Sequence, residues 1–221
     1  MQITASLRAM KMRTVRLARD ARAVVMIEMA FALPFFIVAS LAGLEIANLT
    51  LVNTRISQMG LSAADNASRI AFGSSLVLPG VRELDINDVF TGLQEQGRGL
   101  DFKNKGRIIL SSLERNKQGG QWIHWQRCFG KLVAPSSYGV AGTGATGTSF
   151  PGMGPTGKEV TAADGTAVMF VEIVYKYEPL VYGNWLGSRL IKTTAAFNIR
   201  EGRDLTQIYN PSPSVAVSSC T

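Results

Sequence analysis

At 221 residues the chain has room for one or two domains and a sizeable core, and 46% apolar against 18% charged residues excludes a disordered, strongly charged polymer. Two cysteines rule out a disulfide-built scaffold or a four-thiolate zinc site, and a single histidine rules out a multi-histidine metal centre. The net charge of +7 is local: residues 1–22 carry Arg8, Lys11, Arg13, Arg16, Arg19 and Arg22 against Asp20, while the rest is almost balanced. A basic leader that stops where an apolar run begins points to anionic lipid as its partner rather than nucleic acid.

From Ala23 to Leu44 the chain reads AVVMIEMAFALPFFIVASLAGL, with Glu28 as its one charge. As a helix this run is about 33 Å long, enough for a hydrocarbon core of about 30 Å. The basic flank precedes it and the first flank after it is Glu45 and neutral sequence. The positive-inside rule then predicts a cytoplasmic leader (1–22), a transmembrane helix (23–44) and a body on the far side. A cleaved secretory signal is the alternative, with Met29–Ala39 as its apolar region and Ser40-Leu41-Ala42 as a small-x-small cleavage site.

Past the apolar run the helical period continues. Ile46, Leu49, Val52, Ile56, Met59, Ala63, Ala67 and Ile70 recur at three- and four-residue steps between polar positions. One helix is expected from about residue 23 to about 72, ended by Gly73-Ser74-Ser75 and Pro79-Gly80, with 45–80 as amphipathic continuation and turn. Its first half is apolar all round and its second half amphipathic.

Glu28 has two readings. A carboxylate inside a membrane helix costs about 3 kcal/mol near the centre, which marks it as a functional position; near the interface it reaches the headgroups beside Arg22. Pro34 removes the donor to the Ala30 carbonyl, so a bend or a local opening is expected there.

The stretch from Arg19 to Pro34, with its basic residue, small residue, apolar run, glutamate, second apolar run and proline, resembles the N-terminal motif of the TadE/TadG-like pilus-assembly family. Glu45 resembles that family's second acidic position, and the WQRC segment, RDLTQIYNP and the final cysteine are similar to the family's C-terminal part. The resemblance implies a pilin-like component of a tight-adherence pilus machine, held in the bacterial inner membrane with its body in the periplasm. It also implies other pilin-like subunits and assembly proteins as partners, and Glu28 as an assembly residue. By the same resemblance a prepilin peptidase would cut between Ala23 and Val24, leaving Glu28 fifth in the mature chain, where Ala23 replaces the family's usual glycine.

In the body, residues 81–221, a short helix is expected within 81–98, with Asp85 or Asn87 as its cap. Strands are expected at Arg107–Leu113, Gln121–Phe129, Ala167–Glu178 and Thr193–Glu201. Met169, Val171, Ile173, Tyr175 and Tyr177 alternate with Glu172, Lys176 and Glu178, which predicts an antiparallel strand with one face in a core and one face wet. Thr193–Glu201 alternates likewise, with Ala195, Phe197 and Ile199 inward. The fold class is therefore α+β: a long N-terminal membrane-spanning helix continuing onto an antiparallel sheet, an architecture similar to a pilin.

A glycine-rich loop at 139–157 contains two motif mimics. Gly142 to Gly147 fits G-x-G-x-x-G, and Gly152 to Lys158 fits most of a P-loop. Neither is followed by a helical sequence, and Glu159 stands where magnesium would need a hydroxyl, so no nucleotide, cofactor or small-molecule substrate is expected. His124, between Trp122 and Trp125, lacks the company a catalytic or metal site needs. The two tryptophans fill a core or form a contact surface. Cys128 and Cys220 both fall on the outer side, joined if that compartment is oxidising and otherwise free. A non-enzymatic structural component is the leading expectation, and a bitopic periplasmic binding or adaptor protein is the alternative.

Overall fold

The computed structural model describes residues 21–73, 78–181 and 187–220. Residues 1–20 of the basic leader, and Ser74 and Ser75 of the expected helix stop, lie outside the described residues. The chain divides into two compact units at Asn48/Leu49.

Helix α1 spans Ala21–Ser68, 48 residues, and passes through Pro34 without interruption. From Leu49 onward it carries the expected stripe: Val52, Ile56, Met59, Ala63 and Ala67 are buried. Ile46 departs from it, at 66% exposed, so the stripe begins one turn later than the sequence period indicates. The helix also stops earlier than residue 72. Ser68 turns its hydroxyl onto the Asp65 carbonyl (2.7 Å), and the last carbonyls are taken by the Arg203 guanidinium and the Arg200 backbone N–H. A helix end needs such acceptors' partners, and here they come from more than 130 residues away in sequence.

Strand β1 (Val81–Arg82) leads into α2 (Glu83–Gln96), followed by a single turn of helix, α3 (Phe102–Lys105). The expected caps of α2 are corrected: Arg82 occupies the cap position. Asp85 lies three residues inside, and its carboxylate accepts from the Arg82 backbone N–H (3.2 Å) and guanidinium. Asn87 faces the C-terminal tail instead, donating to the Ala216 carbonyl (2.9 Å).

The remaining strands are β2 (Gly106–Arg115), β3 (Gln121–Phe129), β4 (Ala167–Tyr177), β5 (Arg189–Asn198) and β6 (Ile208–Tyr209). Four of them form one antiparallel sheet in the order β3-β2-β4-β5. Strand β5 starts before Thr193, at Arg189. Strand β6 pairs in parallel with β1 as a two-stranded clip that no sequence period announced.

One sheet face carries Ile108, Leu110, Met169, Val171, Ile173, Tyr175 and Ala195, and these share a core with the stripe of α1 and with Ile86, Phe90 and Leu93 of α2. A methyl group built on Gly60 would meet Thr193 at 3.5 Å and Ile173 at 3.7 Å, which places α1 directly over β4 and β5. Each of these fully buried aliphatic side chains stabilises the body by about 1.5–3 kcal/mol.

The second face corrects the expectation of a wet side. From Ala167 to Tyr175 every residue of β4 is buried, Glu172 included, at 4% exposed. A second core of Leu113, Ile123, Met153, Ala162, Val168 and Phe170, with Tyr138 and Phe150 against it, is roofed by the long segment between β3 and β4. The alternation of β4 is real, but both of its faces are covered.

Candidate functional site

The expected membrane residues all lie on the first half of α1. From Val24 to Val38 the large apolar side chains are half or more exposed, Phe35 at 77% and Met26 at 75%. Glu28 stands exposed among them. The most apolar window of this helix has a mean hydropathy of 2.3, and none of it is buried in the protein. Among the described residues it is the one helix long and apolar enough to cross a membrane. A contiguous apolar surface of this size needs lipid or another chain to cover it. Ala23 and Val24 sit in the first turn, and Pro34 lies inside the apolar stretch. Glu45 is buried, at 7% exposed, and stands about 25 Å along the axis from Glu28, so the helix keeps its two carboxylates at opposite ends of the apolar run.

In the body, two groups of buried polar side chains stand at the end of α1 and at the hairpin of β2 and β3. Arg203, 5% exposed, donates to the carbonyls of Ala67 (3.3 Å) and Ser68. Burial pulls its pKa down to about 10, opposed chiefly by the field of Glu114, so it stays charged at neutral pH. Glu114, 4% exposed, accepts from the Ser112 hydroxyl at 2.6 Å, and its other oxygen lies 2.9 Å from His124 Nδ1. His124 stacks on Trp122, ring centroids 4.4 Å apart. The carboxylate thus stands between hydroxyl and imidazole. A hydroxyl nucleophile needs the imidazole beside it, and Ser112 is fully buried. Arg203 binds the end of α1, and the Ser112–Glu114–His124 cluster has no nucleophilic geometry.

Residues as separate as Arg203 and Glu114 escaped the sequence reading because nothing local marks them. The bulge between Ser112 and Leu113 makes His124 the extra residue of β3, opposite no partner of its own. It sets Trp122 and Trp125 on the same sheet face. Both are half-buried: Trp125 packs against the main core, and the Trp122 indole nitrogen is buried without a partner.

The glycine-rich loop is a roof and not a phosphate cradle. Asn116, at the β2–β3 turn, donates to the carbonyls of Gly144 and Gly147, both at 2.8 Å. Gly144 has φ +76°, and a Cβ there would lie 2.3 Å from the Gln121 carbonyl, so the G-x-G-x-x-G pattern reflects backbone pressed onto the edge of β3. Gln121 and Ala162 exchange two hydrogen bonds, 3.0 and 2.7 Å. The Glu172 carboxylate accepts from the Ser136 hydroxyl and from the Ser137 N–H (2.8 Å).

Cys128 and Cys220 are joined, 92 residues apart in sequence. The bond ties the C-terminal tail to β3, where Cys128 N–H also donates to the Ser218 carbonyl (2.8 Å) and Arg107 donates to the Cys220 carbonyl (3.0 Å). Upstream, Asp204 accepts from Thr206 and from the Tyr209 hydroxyl, and these bonds, Thr206 first, hold its pKa below the usual carboxylate value.

Comparison with protein-family models, with curated proteins and with solved structures finds no match.

Proposed function

We propose that this chain is a membrane-anchored, pilin-like structural component of a tight-adherence pilus assembly machine, and that it acts by assembly and not by catalysis. The observation that supports this most is α1 itself: a helix with uncovered apolar side chains around Glu28 at one end and a buried stripe packed on an antiparallel sheet at the other. The resemblance around Glu28 and Pro34 supplies the family. The disulfide agrees with a body outside the cytoplasm, where such bonds persist. In this reading the bilayer covers residues 23–44, the basic leader stays in the cytoplasm, and the body lies in the periplasm.

Glu28 then serves association with related subunits, since a carboxylate in lipid gains from meeting a neighbour's cation. The Glu28→Gln variant should insert at normal levels and keep the stability of the body, yet lose co-purification with pilin-like partners. Equal partner recovery at matched membrane levels would overturn the role of Glu28. Fractionation with protease protection tests the anchor: a soluble periplasmic product beginning near Gly43 is the outcome that contradicts it. A pilus ATPase and a prepilin peptidase encoded beside this chain would favour the pilus assignment over an unrelated adaptor.

A further inference from the structure

The four-stranded sheet treats its two edges differently. At the β3 edge, the Ile123 N–H donates to the Thr143 carbonyl (2.9 Å) and its carbonyl accepts from Gly142 (2.7 Å); further along, Cys128 donates to Ser218. That edge is closed by the glycine-rich loop and the tail. At the other edge, β5 pairs with β4 over ten residues and, among the described residues, its outer backbone groups meet no hydrogen-bond partner. Closure resumes just past the strand, where the Arg200 N–H reaches the Ser68 carbonyl. In an antiparallel ladder every second residue turns both N–H and C=O away from its neighbour, so about five residues of β5 present both groups outward. An edge of this length is a template for another strand.

Its charges select the occupant. Arg189 and Lys192 are exposed, neither forms an ion pair among the described residues, and β5 contains no acidic residue. Antiparallel pairing of β5 with β5 of a second copy would leave both cations uncompensated, and in one register would set Lys192 directly opposite its own counterpart. These side chains therefore discourage self-pairing. We propose that the β5 edge is a strand-addition site for an extended acidic segment of another protein, with two carboxylates three residues apart placed opposite Lys192 and Arg189. Because side chains alternate along a strand, that spacing sets one carboxylate on each face of the sheet, as Arg189 and Lys192 are. Exposed Leu190, at 58%, lies between the two cations and offers an apolar contact. The proposal rests on the sheet alone and stands whether or not the protein belongs to a pilus.

The test uses the full chain in detergent micelles and a fluorescent peptide, Thr-Val-Glu-Val-Thr-Glu-Val-Thr, titrated by anisotropy at low and high salt. Binding is expected at low salt, weakening about tenfold in the Arg189→Glu, Lys192→Glu double variant, whose substitutions are exposed and leave the thermal transition in place. The β5 amides should gain hydrogen-exchange protection, and a peptide methylated at alternate backbone nitrogens should fail to bind. No binding at low salt, equal binding of a lysine-for-glutamate peptide, or equal binding by the double variant would overturn the proposal. So would displacement of the peptide by anionic lipid vesicles, which would assign the cations to a membrane surface. Efficient cross-linking between copies carrying Thr194→Cys would assign the edge to self-association instead.

Discussion

The two faces of the sheet are covered in different ways, and the difference comes from how each cover satisfies its own backbone. On one face lie α1 and α2, whose peptide groups are already paired within the helices, so the sheet beneath them offers apolar side chains. The buried Ser112 of that face meets the irregular segment 203–207 instead. On the other lies an irregular segment with no ladder of its own. There the sheet and its β2–β3 turn supply polar side chains as partners: Gln121 for Ala162, Gln126 for the Gly139 carbonyl (3.0 Å), Asn116 of the turn for Gly144 and Gly147, and Glu172 for Ser137. A buried polar residue on a sheet face is thus the signature of a loop above it.

The largest expected effect tests whether the two layers form one cooperative body. Phe90 on the helical side and Phe170 on the loop side are each 2% exposed. Phe90→Ala and Phe170→Ala should each cost about 4 kcal/mol in urea unfolding of the detergent-solubilised protein, with a single transition. A much smaller loss for Phe170→Ala, or a second transition, would show that the loop layer is a separate and softer unit.

Next is the covalent tie. Replacing both Cys128 and Cys220 by alanine should cost about 3 kcal/mol, read from the same unfolding curves. If the tail is held chiefly by its hydrogen bonds to Cys128, Asn87 and Arg107, the change will be small and hydrogen exchange of residues 214–220 will stay slow.

A weaker and more local effect is expected at Glu172. Glu172→Gln keeps the shape but loses the charge that strengthens the bonds from Ser136 and Ser137, costing about 1–2 kcal/mol. Faster exchange should appear at residues 136–140 while the amides of α2 remain unchanged. Uniform loosening of both layers would erase the distinction drawn between the faces.

The smallest effect is one of pH. Asp204 has a lowered pKa in the folded protein, so its contribution is complete above about pH 4, the ordinary carboxylate range, and is lost as pH falls through the lowered value. Acidification below pH 4 should release Thr206 and Tyr209, read as a shift of the Thr206 amide resonance. Asp204→Asn should remove that acid step.

Much of the architecture was legible in the residues. The period from Leu49 to Ala67 and the strand at Gln121–Phe129 depend on chemistry repeated along adjacent turns and pleats, which any short window displays. The same holds for the uninterrupted apolar run from Ala23 to Leu44: twenty-two residues with one charge carry their own solubility argument, wherever the rest of the chain goes. What composition and period could not decide is which partners meet across long separations. The end of α1 at Ser68 is set by Arg203, the burial of Glu172 by a loop 35 residues earlier, and the place of the tail by Cys128 and Asn87. Each is a contact between side chains and distant backbone groups, whose loop-closure cost is met only when the whole body folds, so no local pattern records it. Local periodicity determined the elements; satisfaction of buried polar groups in three dimensions decided where they end and what covers them.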